Sequence, residues 1–174
     1  MRYPGAIWKG AAWQNYSTTP IHPRLVVVHV AQGTEAGIVP WFHNPAAQVS
    51  AHLFNPKVGP MLQFVDLLEE AYAEMAFNGE AISIEHEGFS GERLTKGQVE
   101  RLRLAAVFFK QAFAIPYVWR PDGFSGPGWT SHGDLGVEGG NHPNCPGEPI
   151  VGDVRAILNS LAPKKKPIVS FGKK

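Results

Sequence analysis

The chain has 174 residues and a formal net charge of +1, with 16 lysines and arginines against 15 aspartates and glutamates. This length buries one core, so a single domain with short tails is expected, and the balanced charge gives no electrostatic reason to expect a nucleic-acid partner. The one cysteine, Cys145, cannot form an internal disulfide. Because neither a signal-peptide segment nor a run of membrane-spanning length occurs, we expect synthesis in the cytoplasm and no membrane insertion.

The apolar pattern changes character along the chain, which is typical of a mixed α/β domain. Residues 25–30, LVVVHV, are almost entirely apolar and indicate a strand covered on both faces. The following elements are a short helix over 37–43, strands over 50–55 and 61–65 joined by a turn at 56–60, a helix over 66–75 and a strand over 81–86. We therefore expect an α/β fold with a central mixed β-sheet flanked by helices.

The sequence contains signals for the N-termini of two further helices. Thr95 and Gln98 form a capping box ahead of a helix that must stop before Pro116, and Pro149 suits the first turn of a last helix. The stretch 121–147 between them is rich in glycine and proline, and such irregular segments are often functional. We expect the domain over 21–162, an N-terminal extension over 1–20, and a basic linker or tail over 163–174 that contains three consecutive lysines.

Three residues carry side chains that zinc prefers: His29 in the apolar strand, and His132 and Cys145 in the irregular stretch. Two imidazoles and one thiolate leave the fourth position of a tetrahedral ion open, as catalytic zinc sites do. Each residue also has a structural interpretation, because buried histidines find hydrogen-bond partners and a lone cysteine often serves as a small buried apolar residue. His43 and His52 are further candidates if this ligand set is wrong.

Several short segments follow one another in a defined order: Val28-His29, Trp41-Phe42 ahead of Pro45, Val49-Ser50-Ala51-His52, Asn78 ahead of Ile82-Ser83-Ile84-Glu85, Ser131-His132-Gly133-Asp134 and Asn144-Cys145-Pro146-Gly147. This ordered set resembles zinc-dependent N-acetylmuramoyl-L-alanine amidases, the group that includes phage endolysins of the T7 lysozyme kind and the peptidoglycan recognition proteins. The resemblance covers about residues 20–160.

The resemblance implies roles for matching residues. His29, His132 and Cys145 match the zinc ligands, and Glu85 matches the catalytic glutamate of those members that carry one. Two positions depart from the pattern, since Ala51 stands where many members have tyrosine and Pro143 stands where many have a lysine that stabilises the oxyanion. Strand alternation independently places Glu85 on the same face as small residues, which leaves room for a substrate, although a glutamate at a strand end is often only a surface group.

The remaining candidate residues surround the expected cleft. We expect His142 to donate to the oxyanion in place of the lysine, with a solvent-exposed loop histidine as the alternative. Asp134 is a candidate for holding a ligand histidine by a hydrogen bond, or else it caps a turn. Aromatic and histidine side chains are expected to contact substrate, or to belong to the core instead: Trp41, His52, Phe124 and Trp129.

The resemblance implies a monomeric zinc enzyme that cleaves the amide bond between N-acetylmuramic acid and L-alanine in peptidoglycan. The expectation is the catalytic domain of a phage endolysin, released to the cell wall by a holin and joined by its basic linker to a wall-binding module. The alternatives are a cytoplasmic amidase that recycles muropeptides, a recognition domain that binds peptidoglycan without cutting it, and a zinc hydrolase of another substrate on the same fold.

Overall fold

The computed structural model describes residues 1–123 and 125–163. Phe124 and the lysines of the expected linker lie outside this part of the chain. Within it the helices are α1 (Glu35–His43), α2 (Lys96–Phe113) and α3 (Glu148–Leu161), with 3-10 turns at Trp13–Asn15, Met75–Glu80 and Gly133–Gly139. The strands are β1 (Ala6–Trp8), β2 (Tyr16–Pro20), β3 (Leu25–Val30), β4 (Leu53–Asn55), β5 (Met61–Gln63), β6 (Glu69–Ala71), β7 (Ala81–His86) and β8 (Gly128–Ser131).

The larger sheet has the spatial order β1-β5-β4-β7-β3-β8. Its neighbours run parallel except β4 and β5, which are antiparallel. The expected mixed sheet flanked by helices is therefore confirmed. The strands β3 and β7 have the bounds predicted from their apolar runs, whereas β4 forms only from the last three residues of its predicted range and β5 only from the first three.

Strand alternation divides the side chains of β3 and β7 between two layers. One face contributes Val26, Val28, Ile82 and Ile84 to the main core, where they pack with apolar residues of α2 and α3. The opposite face carries Leu25 and Ala81 near the start of each strand, beneath the 3-10 turns. Helix α1 covers the β4–β5 end of that opposite face. An open space is left between α1 and the 3-10 turns.

Helices α2 and α3 begin at the residues that the sequence predicts. Thr95 caps α2, since its side chain accepts from the backbone of Gln98 while the Gln98 side chain accepts from the backbone of Thr95. Helix α3 begins at Glu148 with proline in its first turn. Both predicted starts are confirmed. Helix α1 begins slightly earlier than expected, at Glu35.

The helix expected over 66–75 does not form. Its leucine, glutamate and alanine residues favour a helix by propensity alone, but β6 (Glu69–Ala71) instead pairs antiparallel with β2 in a separate small sheet. The backbone on either side is also bound to distant groups, because Leu67 donates to the carbonyl of Met1 and Tyr72 donates to the hydroxyl of Ser50. These long-range hydrogen bonds outweigh the local preference.

The two edge strands of the larger sheet come from segments in which the pattern did not indicate a strand. β1 pairs with β5 at one edge of the sheet, so the segment expected as an N-terminal extension contributes a strand. At the other edge, β8 arises within the glycine-rich stretch and pairs with β3. Within the two described stretches, no helix combines the length and the apolar character needed to cross a membrane.

Candidate functional site

The candidate site lies where three neighbouring parallel strands end. The register of β3 and β7 places His29 directly beside Glu85. The register of β3 and β8 ends with Val28 opposite Ser131, and the next residue, His132, donates its backbone N–H to the carbonyl of Val28 at 3.2 Å. Because the carboxyl ends of parallel strands share one edge, these side chains converge where open α/β sheets bind ligands.

His29, His132 and Cys145 form a compact cluster. One ligand atom from each of the three lies within 4.8 Å of the others. The Nε2–H group of His29 donates to Oε1 of Glu74 at 3.0 Å, and that of His132 donates to the carbonyl of Gly139 at 2.7 Å. Nε2 of each ring is thus held by a hydrogen bond, and metal-binding histidines commonly have their second nitrogen held in this way.

The loop that carries Cys145 is held against the strand end by backbone contacts. Gly133 donates its N–H to the carbonyl of Cys145 at 2.7 Å, and Cys145 donates to the carbonyl of His142 at 2.9 Å. A Cβ atom at Gly133 would lie 2.9 Å from the carbonyl oxygen of Pro143 and 3.1 Å from that of Cys145. Glycine at this position therefore allows the loop to bring the thiol to the two histidines.

The protonation of the two histidines differs because their surroundings differ. Burial and the nearby positive charge of His29 lower the pKa of His132 to about 3. Burial alone would lower the pKa of His29, but the hydrogen-bonded Cys145 and Glu74 and the charge of Glu85 raise it well above its usual value. A cation that binds the cluster must therefore displace a proton from His29, as is usual when metal ligands are protonated.

Glu74 is the residue of this site that sequence reasoning missed. Its side chain is completely buried, it accepts from His29, and its second oxygen, Oε2, has no hydrogen-bond partner. Asn78 fixes the backbone there, since its side-chain oxygen accepts from the N–H groups of Ala73 and Glu74 at 3.1 Å and 2.6 Å. A buried carboxylate on a candidate ligand has the position of a group that orients it.

Glu85 faces the cluster from β7. Its Oε1 lies 4.0 Å from Nδ1 of His29, and its side chain retains 19% exposure. Burial raises the pKa of the Glu85 carboxyl, and the charge of His29 only partly opposes this. A carboxyl group beside a candidate metal position is suited to proton transfer.

An open cleft of about 490 Å³ leads to the cluster. Helix α1 and the following loop supply its apolar wall with Ile38, Trp41, Phe42 and Val49, and the 141–145 loop supplies the opposite side. Trp41 is 48% exposed. The ring of His142 lies 4.3 Å from that of His132, between centroids, and His142 also lines the cleft.

The structure brings six of the predicted residues together at the cleft and gives four others different surroundings. Those at the cleft are His29, His132, Cys145, Glu85, His142 and Trp41. His52 is completely buried: its Nε2–H donates to the carbonyl of Glu69, and its Nδ1 lies 2.9 Å from the hydroxyl of Ser83. It therefore serves the core, and the prediction that it contacts substrate is wrong. His43 donates to the carbonyl of Gly10 and lies outside the cluster.

Two further predictions need correction. Trp129 is completely buried and packs against Phe109 with ring centroids 6.1 Å apart, because it points to the helix-covered face of β8. Asp134 does not hold a ligand histidine, since Nε2 of His132 donates to Gly139 and Nε2 of His29 donates to Glu74. Phe124 lies outside the described residues, so its expected contact with substrate stays a prediction.

These features define a mixed α/β protein with a candidate metal site. Two histidines and a cysteine form the site, and a glutamate faces it from the end of a strand. The family model described as N-acetylmuramoyl-L-alanine amidase matches residues 17–148. The chain therefore belongs to the N-acetylmuramoyl-L-alanine amidase family.

Individual relatives agree with this assignment. N-acetylmuramoyl-L-alanine amidase A of Achromobacter lyticus is 40% identical over 84 residues, which are 48% of this chain and 48% of that protein. The chain thus matches about half the length of this curated relative. The fold is similar to that of N-acetylmuramoyl-L-alanine amidase LysC from Clostridium intestinale URNW, with a TM-score of 0.67, 17% identity, and coverage of 90% of this chain and 99% of that chain. The Staphylococcus aureus hydrolase AmiA gives a TM-score of 0.71 at 11% identity, with 91% and 83% coverage.

Proposed function

We propose that this protein hydrolyses the amide bond between the lactyl group of N-acetylmuramic acid and L-alanine in peptidoglycan, with zinc as its cofactor. The observation that carries the proposal is the cluster of His29, His132 and Cys145, whose ligand atoms lie within 4.8 Å of one another beside Glu85. Membership of the amidase family supports the same reaction.

The chemistry of the three side chains fits zinc. Two imidazoles and a thiolate are ligands that zinc prefers, and three protein ligands leave one position for water or substrate. Once His29 has lost its extra proton, the hydrogen bonds to Glu74 and Gly139 would hold Nε2–H of each imidazole and leave Nδ1 as the lone pair for the metal. When bound in such a site, zinc lowers the pKa of a water molecule to about 7 and polarises a carbonyl group.

Glu85 is the proposed proton-transfer group. Its carboxylate faces the cluster, so it can accept a proton from the attacking water and pass it to the nitrogen of the departing L-alanine. The raised pKa of Glu85 favours the first of these transfers, because burial makes the carboxylate a stronger proton acceptor. The breaking C–N bond thus releases a carboxylic acid on the lactyl group and a free amine on the peptide.

The oxyanion requires a hydrogen-bond donor on the other side of the cleft. His142 fits this role, since its ring is exposed, lines the cleft and lies 4.3 Å from the ring of His132. It would donate an N–H group to the carbonyl oxygen as negative charge develops there. Trp41 on the opposite wall offers an apolar surface for the sugar or the peptide.

The test is to incubate purified protein and zinc with bacterial cell walls and to measure new amino termini. We expect free L-alanine amino groups, about one zinc per chain, and loss of both in Cys145→Ala. His43→Ala is the matched control, because His43 lies outside the cluster, and it should keep both properties.

Three results would contradict the proposal. A fall in wall turbidity without new amino termini would indicate a glycosidase. Zinc retained at full affinity by Cys145→Ala would show that the ligand set is wrong. Binding to walls without any cleavage would favour the alternative of a recognition domain.

A further inference from the structure

A second groove lies beside the active-site cleft. It measures about 460 Å³, and its lining residues are Trp13, Gln14, Tyr16, Ser17, Thr18, Gln48 and Tyr72. Tyr72 also lines the active-site cleft, so the two cavities share one side chain as a common wall. The family model begins at residue 17. Trp13 and Gln14 therefore come from a part of the chain that precedes the segment shared with the family.

The turn that presents Trp13 is held rigidly from below. Asn15 is completely buried, and its side-chain amide donates to the carbonyls of Phe42 and Asn44 at 2.9 Å and 3.0 Å. Its side-chain oxygen accepts from the backbone N–H of Gln48 at 3.0 Å. The same amide thus ties the Trp13 turn to the loop that supplies the far side of the groove, and the groove is formed before any ligand binds.

Trp13 projects from this fixed turn with 76% of its surface exposed. A single exposed apolar residue needs no explanation, but here Tyr16 and Tyr72 line the same groove. Tyr72 is also fixed, since its N–H donates to the hydroxyl of Ser50 at 3.2 Å and its carbonyl accepts from Ser50 at 3.1 Å. Aromatic rings presented by a rigid backbone bind ligands at little entropic cost.

The side chains of the groove define the chemistry of its ligand. None of its seven lining residues is charged, so an ionic ligand such as a stem peptide would find no counter-charge there. The aromatic rings suit the apolar face of a sugar ring. The amides of Gln14 and Gln48 and the hydroxyls of Ser17 and Thr18 can both donate to and accept from hydroxyl and acetamido groups.

We propose that this aromatic groove is a carbohydrate subsite that binds a neutral N-acetylated amino sugar of the glycan strand. The proposal rests on the proposed function, since the groove continues the cleft in which the amide bond would be cut. Because the groove lies beyond that cleft, it would contact a further sugar along the strand. Polymeric glycan would therefore be a better substrate than small soluble fragments.

A binding experiment tests the groove without any need for catalysis. The probe is an oligomer of β-1,4-linked N-acetylglucosamine, titrated into chelator-treated protein and followed by calorimetry. We expect Trp13→Ala to weaken binding about tenfold, as truncation of a central aromatic contact does, and Trp13→Tyr to restore most of the affinity. Trp8→Ala is the matched control, because Trp8 is 45% exposed but lines neither cavity, and it should bind as wild type does.

A second measurement compares two substrates. For Trp13→Ala, the loss of kcat/KM on intact walls should exceed the loss on a soluble disaccharide-peptide about tenfold. Equal losses on both substrates, or unchanged oligosaccharide binding in Trp13→Ala, would overturn the subsite. Loss of affinity for free stem peptide instead of oligosaccharide would assign the groove to the peptide. If walls are never cleaved but the oligosaccharide results hold, the proposed function fails while the sugar site stands.

Discussion

The two faces of strands β3 and β7 show how one pair of strands supports both stability and chemistry. On the helix-covered face, Val28 and Ile84 lie side by side in the core with no exposed surface. One residue further along, on the opposite face, His29 lies beside Glu85 at the edge of an open cleft. The apolar face anchors the strands, so that the polar face can hold costly buried ionisable groups in fixed positions.

Two buried histidines, one on each face, differ in the direction of their pKa shifts. His29 contacts a carboxylate and a thiol on the cleft face, and the pKa of its imidazole is raised. On the covered face, burial and the positive charges of His29 and Arg101 lower the pKa of His86 to about 3. The charges beside each of these two buried histidines therefore set the direction of its pKa shift: a carboxylate and a thiol raise the pKa of His29, and burial and positive charges lower that of His86.

The largest effect is expected from a substitution of Glu85, which lies on the cleft face. Glu85→Gln keeps the shape of the side chain but removes proton transfer, so kcat should fall by about 10²–10⁴-fold while zinc content is unchanged. The measurement is the rate at which L-alanine amino termini appear. Ile84→Val is the matched control from the same strand and the other face. It should lose about 1 kcal/mol of unfolding free energy and keep its activity.

If Glu85→Gln kept full activity, the two faces would not differ in the way we describe. The same conclusion would follow if Ile84→Val lost activity as strongly as Glu85→Gln while remaining folded.

The next effect concerns His86 and the pH dependence of stability. The unfolded chain binds a proton at His86 below its ordinary pKa of 6.5, whereas the folded chain does so only below about 3. Stability is therefore lost as the pH falls from about 6.5 to 3, because the unfolded state binds more protons in that range. His86→Leu removes this proton uptake. Between pH 7 and pH 4 the variant should lose less unfolding free energy than wild type does, by on the order of 2–3 kcal/mol.

Denaturant unfolding of chelator-treated protein at both pH values measures this difference, since metal binding then makes no contribution. Equal losses in His86→Leu and wild type would show that His86 is not held neutral in the folded state.

Strand periodicity predicted much of this arrangement. The apolar runs around His29 and Glu85 indicated two strands, and alternation placed Glu85 on the face that proves to be open. The cleft position of Cys145 followed from its resemblance to the amidase pattern, because local spacing could not show which loop returns to β3. Trp129 was wrongly assigned to the cleft, since its strand lies in a glycine-rich stretch where no alternation was recognised.

Other features depend on contacts that no local pattern records. The residues of β6 have high helix propensity and still form a strand, because β2 pairs with them from far away in sequence. Glu74 lies 45 residues from its partner His29, within a segment predicted to be helical. Trp13 and Asn15 belong to a segment that was expected to be an extension, and their importance emerges only when the 42–48 loop is seen beside them.

The smallest of the three effects is expected at Glu74, which lies behind the cleft rather than in it. Glu74→Gln keeps an oxygen that can accept from Nε2 of His29 but removes the negative charge. The charge makes Nδ1 of the ring a stronger ligand, so zinc affinity should fall by about 10–100-fold, as it does when such supporting groups are changed elsewhere. Competition with a chromophoric chelator measures this affinity independently of activity.

Glu138→Gln is the control, because it removes an exposed carboxylate beside Gly139 and should bind zinc as wild type does. At saturating zinc the Glu74 variant should recover most of its activity, whereas Glu85→Gln should not. Unchanged zinc affinity in Glu74→Gln would mean that the charge of the buried carboxylate does not support the metal site. Only the residues that line the cleft would then contribute to function.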